Sequence, residues 1–227
     1  EETSVDWRRE DLFGTSIVEE SLQELESRPA SPSTKEERTA RRRALDQLGV
    51  PSFAEYIKSR SMHIPKRKQP TILQMNIGLY CNQACSHCHV DSSPLRDEMM
   101  TAETAAQCVK LLKNTPSITT LDITGGAPEL NASFRYLVEF ARRVRPDLEI
   151  IDRCNLTVLQ EPGQEDLVDF LRSHKVRIVA SLPCYSKSNV DTQRGNGVFE
   201  RSIAALLKLN QAGYATSGDL KLDLVYN

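Results

Sequence analysis

No apolar run in this 227-residue sequence approaches the ~20 residues that a membrane-spanning helix needs, so no membrane partner is expected. A surplus of one charge is lacking too: 29 basic and 31 acidic residues leave a net charge of −2. That balance supplies neither the basic field that nucleic acid requires nor an acidic tail. Glu1 to Glu10 are polar and acidic, without the apolar stretch of a secretory leader. Six cysteines are present, yet a disulfide framework is not expected. The chain is long enough to bury its own core, and 39% hydrophobic with 26% charged residues is ordinary globular composition. Three of the cysteines fall within eight residues, which points to a metal.

The charges divide the chain. Residues 1–70 carry 13 acidic and 13 basic side chains and read as a polar, self-neutral, partly helical arm. Arg28-Pro29-Ala30-Ser31-Pro32-Ser33 is a linker inside it. Ser33 and Glu36 form a capping-box pattern, and Gly49 with Pro51 would end that helix. Arg41, Arg42 and Arg43 are balanced by Glu36, Glu37 and Asp46 and read as a solvated helix face. Phe53, Tyr56 and Ile57 follow at helical spacing.

Residues 71–227 form a second region with a different rhythm. Strand patterns run over residues 72–77, 118–123, 148–152, 176–181 and 220–226. Helical patterns stand between them: Ala105, Cys108, Val109 and Leu112 behind a Thr101 cap; Phe134, Leu137, Val138 and Ala141; Leu167, Phe170 and Leu171; Phe199, Ile203, Leu206 and Leu207. This alternation predicts an α/β domain of repeated βα units with a parallel sheet. A full eight-unit barrel takes ~250 residues, so five units predict a partial (βα) barrel. The last strand pattern runs almost to Asn227 with no helix after it, from which a truncated C-terminal part is expected.

The first strand runs into Cys81-Asn-Gln-Ala-Cys85-Ser-His-Cys88-His89, a C-x3-C-x2-C spacing. Three thiolates on one loop suit three irons of a cubane cluster and leave the fourth iron open. A structural zinc would recruit His87 or His89 as fourth ligand. A redox pair of Cys85 and Cys88 leaves Cys81 without a role. The second strand runs into Gly125-Gly126-Ala127-Pro128-Glu129, where two glycines let backbone approach a ligand closely. Cys154 and Cys184 lie just past the third and fourth strands, at the end of a βα domain that carries chemistry. Soft thiolates there suit a thiophilic centre. Cys108 falls on the apolar face of a helix and reads as core.

The spacing, the strand before it and His87 ahead of the last cysteine resemble the radical S-adenosylmethionine (SAM) superfamily. That resemblance implies a partial barrel in which Cys81, Cys85 and Cys88 ligate a 4Fe–4S cluster. It implies SAM on the open iron, held by Gly125, Gly126 and Glu129 at the glycine turn, with the acid displaced from its usual place beside the glycines. Arg194, ahead of the fourth helix, is positioned to pair with a SAM carboxylate through two parallel hydrogen bonds, and Asn155 and Ser181 at strand ends to bond its ribose or methionine groups. Five stretches resemble the arsenosugar-biosynthesis radical SAM family: Cys81–Asp91, Thr124–Asn131, Asp152–Thr157, Ser181–Tyr185 and Arg194–Phe199. The implied activity is reductive cleavage of SAM and joining of its 5′-deoxyadenosyl group to a methylated trivalent arsenical; independently of the family, Cys154 and Cys184 at their strand ends are expected to hold the arsenic as catalytic residues. A reducing partner such as flavodoxin or ferredoxin, and a reducing compartment, cytoplasmic or organellar, go with an exposed cluster. The competing readings are a radical SAM enzyme acting on a peptide or small natural product, and a truncated, non-catalytic iron–sulfur or zinc protein.

Overall fold

The computed structural model describes residues 10–27, 43, 48–216 and 218–226. The helix expected behind Ser33 and Glu36, with its arginine face, lies outside the described residues, Arg43 apart. The chain forms two compact units, residues 27–69 and residues 1–26 with 70–227. In the smaller unit, helix α2 (Phe53–Ser59) begins at a complete capping box. The Ser52 hydroxyl accepts from the Glu55 N–H, and the Glu55 carboxylate accepts from the Ser52 N–H at 2.8 Å.

The larger unit holds five strands: β1 (Ile72–Asn76), β2 (Thr120–Thr124), β3 (Glu149–Asp152), β4 (Arg177–Ser181) and β5 (Leu222–Val225). They hydrogen-bond in sequence order, every neighbouring pair parallel. This is the expected α/β partial barrel, and among the described residues its sheet is not closed. Helices α3 (Ala102–Asn114), α4 (Ser133–Val144), α5 (Leu167–Ser173), α6 (Lys187–Arg194) and α7 (Val198–Gln211) fill the crossovers. Thr101 caps α3 through the Thr104 N–H.

Side chains alternate across the strands. Leu121, Ile123, Ile150, Ile178 and Ala180 are buried in the main core with Phe134, Leu137 and Val138 of α4. Gln74, Thr124, Val179 and Ser181 line a cavity instead. Asn76 is in register with Thr124, Ile123 with Asp152, and Ser181 with Val225. The loops that leave β1, β2, β3 and β4 therefore emerge at one end of the sheet, where βα enzymes assemble their sites.

Residues ahead of the sheet join this unit. Helix α1 (Val18–Ser27) follows Ile17, which packs in a second core cluster with Leu182, Val190, Val198 and Phe199. Among the described residues, no helix is long and apolar enough to cross a membrane.

Candidate metal centre and cofactor cavity

The loop leaving β1 is held before its cysteines are reached. Leu79 N–H donates to the Glu98 carbonyl, and Gly126 N–H and Ala127 N–H donate back to the carbonyls of Gly78 and Tyr80 at 3.0 and 2.9 Å. The loop thus crosses the glycine turn of β2 in direct backbone contact. A Cβ on Gly126 would stand 2.2 Å from the Tyr80 carbonyl oxygen, and one on Gly125 2.8 Å from that of Gly78. The two glycines are required by the cysteine loop itself, a role the motif alone did not reveal.

Beyond that crossing, Cys81, Cys85 and Cys88 face one cavity of about 520 Å³, a size suited to a cofactor. Gly125, Gly126, Asn155, Ser181 and Arg194 line the same space, as do His87 and His89. Cys81 is the most enclosed of the three sulfurs; it accepts from the Gln83 N–H at 3.4 Å and from the Asn155 amide at 3.6 Å. Cys88 accepts from the Ser92 N–H at 3.3 Å. Burial pushes the Cys81 thiol up to about 12. Burial also raises the Cys85 thiol, against the opposing charge of Arg194. Negative sulfur here requires a nearby cation, the electrostatic condition of metal-held thiolates.

Arg194 supplies one fixed cation. It is buried at the end of α6; one guanidinium N–H donates to the Ser181 carbonyl, while its Nε has no partner. A buried, unsatisfied guanidinium N–H is costly, and an anionic group in the cavity would satisfy it. Ser86 N–H donates to the Gln193 carbonyl at 3.0 Å, which ties the cysteine loop to that helix end.

The far side of the loop rests on a buried polar network that the sequence did not disclose. Asn82 donates to Thr157 and to Glu161 at 3.0 and 2.8 Å, and Gln83 donates to Thr157 at 2.7 Å. Asn155 donates to the Asn82 side-chain oxygen at 2.7 Å. Glu161 also accepts the Ile17 N–H, and the Ser21 hydroxyl donates to the Asn82 carbonyl. Asn82 and Gln83 lie inside the cysteine motif, which was their only signal. Glu161 and Ser21 had none, because their partners are distant in sequence.

Three residues singled out by sequence do not line the cavity. Glu129, in the short turn Pro128–Leu130, is buried beside Asp152 and Cys154. Cys154 is wholly buried, its sulfur accepting from the Leu156 N–H. Cys184 lies on the loop after β4 and accepts from the Asn189 amide at 3.3 Å. Hydrogen bonds from the Ser186 backbone and the Asn189 side chain lower its thiol to about 7.

The sequence model of the radical SAM superfamily matches residues 75–220. The chain belongs to this superfamily. Radical SAM proteins use a 4Fe–4S cluster and SAM, and the cavity fits both. Its donors are three thiols from one loop, with the Arg194 guanidinium, whose Nε has no partner, in the same cavity wall. Among the described residues, no three of its cysteine or histidine ligand atoms lie within 4.8 Å of one another, a wider set than one tetrahedral zinc draws together. Similar solved structures include SuiB of Streptococcus suis, with a TM-score of 0.55 and 15% identity over 89% of this chain and 41% of that one. SuiB bound to S-adenosylmethionine gives 0.55 and 16% over 84% and 43%. The protein anSMEcpe with bound AdoMet gives 0.53 and 19% over 68% and 42%. These likenesses are of fold, and the chain spans about two fifths of the length of each structure. No curated protein matches it.

Proposed function

We propose that this chain is the core of an enzyme that reductively cleaves SAM and joins its 5′-deoxyadenosyl group to a methylated trivalent arsenical. The observation that carries the first half is the shared cavity, lined by three cysteines of one loop and by the buried Arg194, whose charge acts on Cys85. In this reading Cys81, Cys85 and Cys88 ligate the cluster. The bound, reduced cluster supplies the electron that splits the C5′–sulfur bond of SAM.

The chain's own groups bind and orient. Arg194 pairs with the SAM carboxylate through its unpartnered Nε side while the Ser181 carbonyl fixes one terminal N–H. Gly125 and Gly126 present backbone to the methionine part, and Asn155 and Ser181 offer polar contacts across the cavity. The arsenical half rests on the five family-like stretches of sequence. Cys184, three residues past Ser181 and lowered to about 7, supplies a thiolate near neutral pH to capture a thiophilic substrate. Cys154 is enclosed by carboxyl groups and has no part in this reading. The first electron comes from a small reducing partner of the flavodoxin or ferredoxin kind; closing the C5′–arsenic bond leaves one electron on arsenic, and its return gives the pentavalent product, so each transfer breaks one C5′–sulfur bond, releases methionine and is redox-neutral overall.

Anaerobic reconstitution tests the proposal. The chain is expected to take up iron and sulfide, to lose both when Cys81, Cys85 and Cys88 are changed to Ala, and to release methionine from SAM with a reductant. Iron content unchanged by that triple substitution would overturn the cluster assignment. Mass spectrometry after addition of dimethylated arsenite is expected to show an adenosyl–arsenic adduct. Its absence alongside active SAM cleavage would remove the arsenical and leave the cluster reading intact.

A further inference from the structure

Glu129 and Cys154, turned away from the cavity, meet each other. Glu129 follows the glycine turn of β2, Asp152 ends β3, and Cys154 stands two residues further on. One ligand atom from each lies within 4.8 Å of the other two, and among the described residues no other three Cys, His, Asp or Glu side chains come so close. All are buried: Glu129 is 3% exposed, Asp152 and Cys154 0%. None of the four carboxylate oxygens has a hydrogen-bond partner. Burial raises both acids, Asp152 further through the charge of Glu129. Ionised together, two buried carboxylates are costly, and either retained protons or a bound cation offsets that charge.

We propose that Glu129, Asp152 and Cys154 bind a divalent zinc ion in a site separate from the cysteine cavity. A thiolate with two carboxylates suits a borderline-soft ion and discriminates against Mg²⁺ and Ca²⁺, which take oxygen alone. Tetrahedral zinc bonds of about 2.0–2.3 Å place ligand atoms about 3.3–3.8 Å apart, so from within 4.8 Å each pair closes by about 1.5 Å at most. Binding displaces the protons the three groups otherwise hold, and a backbone oxygen or water completes the coordination. The Leu156 N–H, already on the Cys154 sulfur at 3.3 Å, then serves as the outer hydrogen bond that metal thiolates commonly receive. The ion would pin the turn after β2 to the end of β3. Gly126 and Asn155, which flank those two segments, are in the cavity wall.

Metal analysis of the full chain, reconstituted with iron and sulfide and then offered Zn²⁺, tests this apart from any activity. One zinc per chain is expected to survive gel filtration, and Glu129→Gln/Asp152→Asn is expected to lose it while keeping its iron. Far-UV circular dichroism checks that this variant is folded; its neutral, similarly shaped amides remove the buried charge. Cobalt(II) gives a second readout in the chain with Cys81, Cys85 and Cys88 changed to Ala. A thiolate-to-cobalt absorption band is expected, abolished by Cys154→Ser and kept by Cys184→Ser. Zinc content equal in the wild type and the Gln/Asn variant, no zinc in either, or a cobalt band that survives Cys154→Ser would each overturn the site.

Discussion

Arg194 has one edge on the Ser181 carbonyl and an Nε with no partner, so its charge is aimed rather than free. A lysine in its place keeps the charge and loses the planar fork. Arg194→Lys is expected to cost about 1.5–3 kcal/mol of SAM binding, roughly ten- to hundredfold in Kd, measured by equilibrium dialysis against the reconstituted chain; an unchanged Kd would remove Arg194 from the SAM site. Cys184 makes a second prediction at this scale. Its lowered thiol keeps the reactive thiolate at neutral pH and loses it as pH falls through about 7. Alkylation followed by peptide mapping is expected to reach half its maximal rate near that pH. Cys184 should react ahead of Cys108, whose thiol is raised by burial; equal rates would argue against the Asn189 and Ser186 hydrogen bonds. The cluster cysteines were legible in sequence because their chemistry depends on close spacing along one loop. Glu129 and Cys154 were legible only as polar or soft groups at strand ends. Which of them turned to the cavity and which to the core depended on packing that no local pattern records.

Elements show the same division. All five strands and four of the crossover helices followed from apolar periodicity, with bounds displaced by a residue or two. Helix α6 did not, because only Val190 and Arg194 of its eight residues are buried. Helix α1 buries only Ser21 and escaped notice likewise. Both are held by polar contacts and by Ile17 and Val190 at one small cluster, not by an apolar stripe. The crossing of the cysteine loop over the turn after β2 is the element contact most sensitive to change. Gly126→Ala would press a methyl group to 2.2 Å from the Tyr80 oxygen, an atom already fixed by the Ala127 N–H. A loss of about 3 kcal/mol in urea unfolding is expected. Gly218→Ala, which meets nothing within 4 Å, is expected to stay within about 0.5 kcal/mol. Equal stability of the two variants would show that the loop can slide off the turn.

At the scale of the whole molecule, the buried network around Asn82 joins parts of the chain that share no local signal. Glu161 accepts from Asn82 and from the Ile17 N–H, so Glu161→Ala would strand two buried donors. The expected cost is about 2–3 kcal/mol, with iron retained less well by the reconstituted chain; full stability and full iron content would detach the early residues from the site. The same contacts fix an order of events. The Ile17 N–H finds its carboxylate 144 residues later, and the Thr15 carbonyl finds Arg201 186 residues later. A ribosome therefore finishes most of the domain before these long-range closures can form. Until then the cysteine loop has its anchors at Glu98 and the Gly126 turn but lacks Thr157, Glu161 and the Gln193 carbonyl, so its far side is completed last.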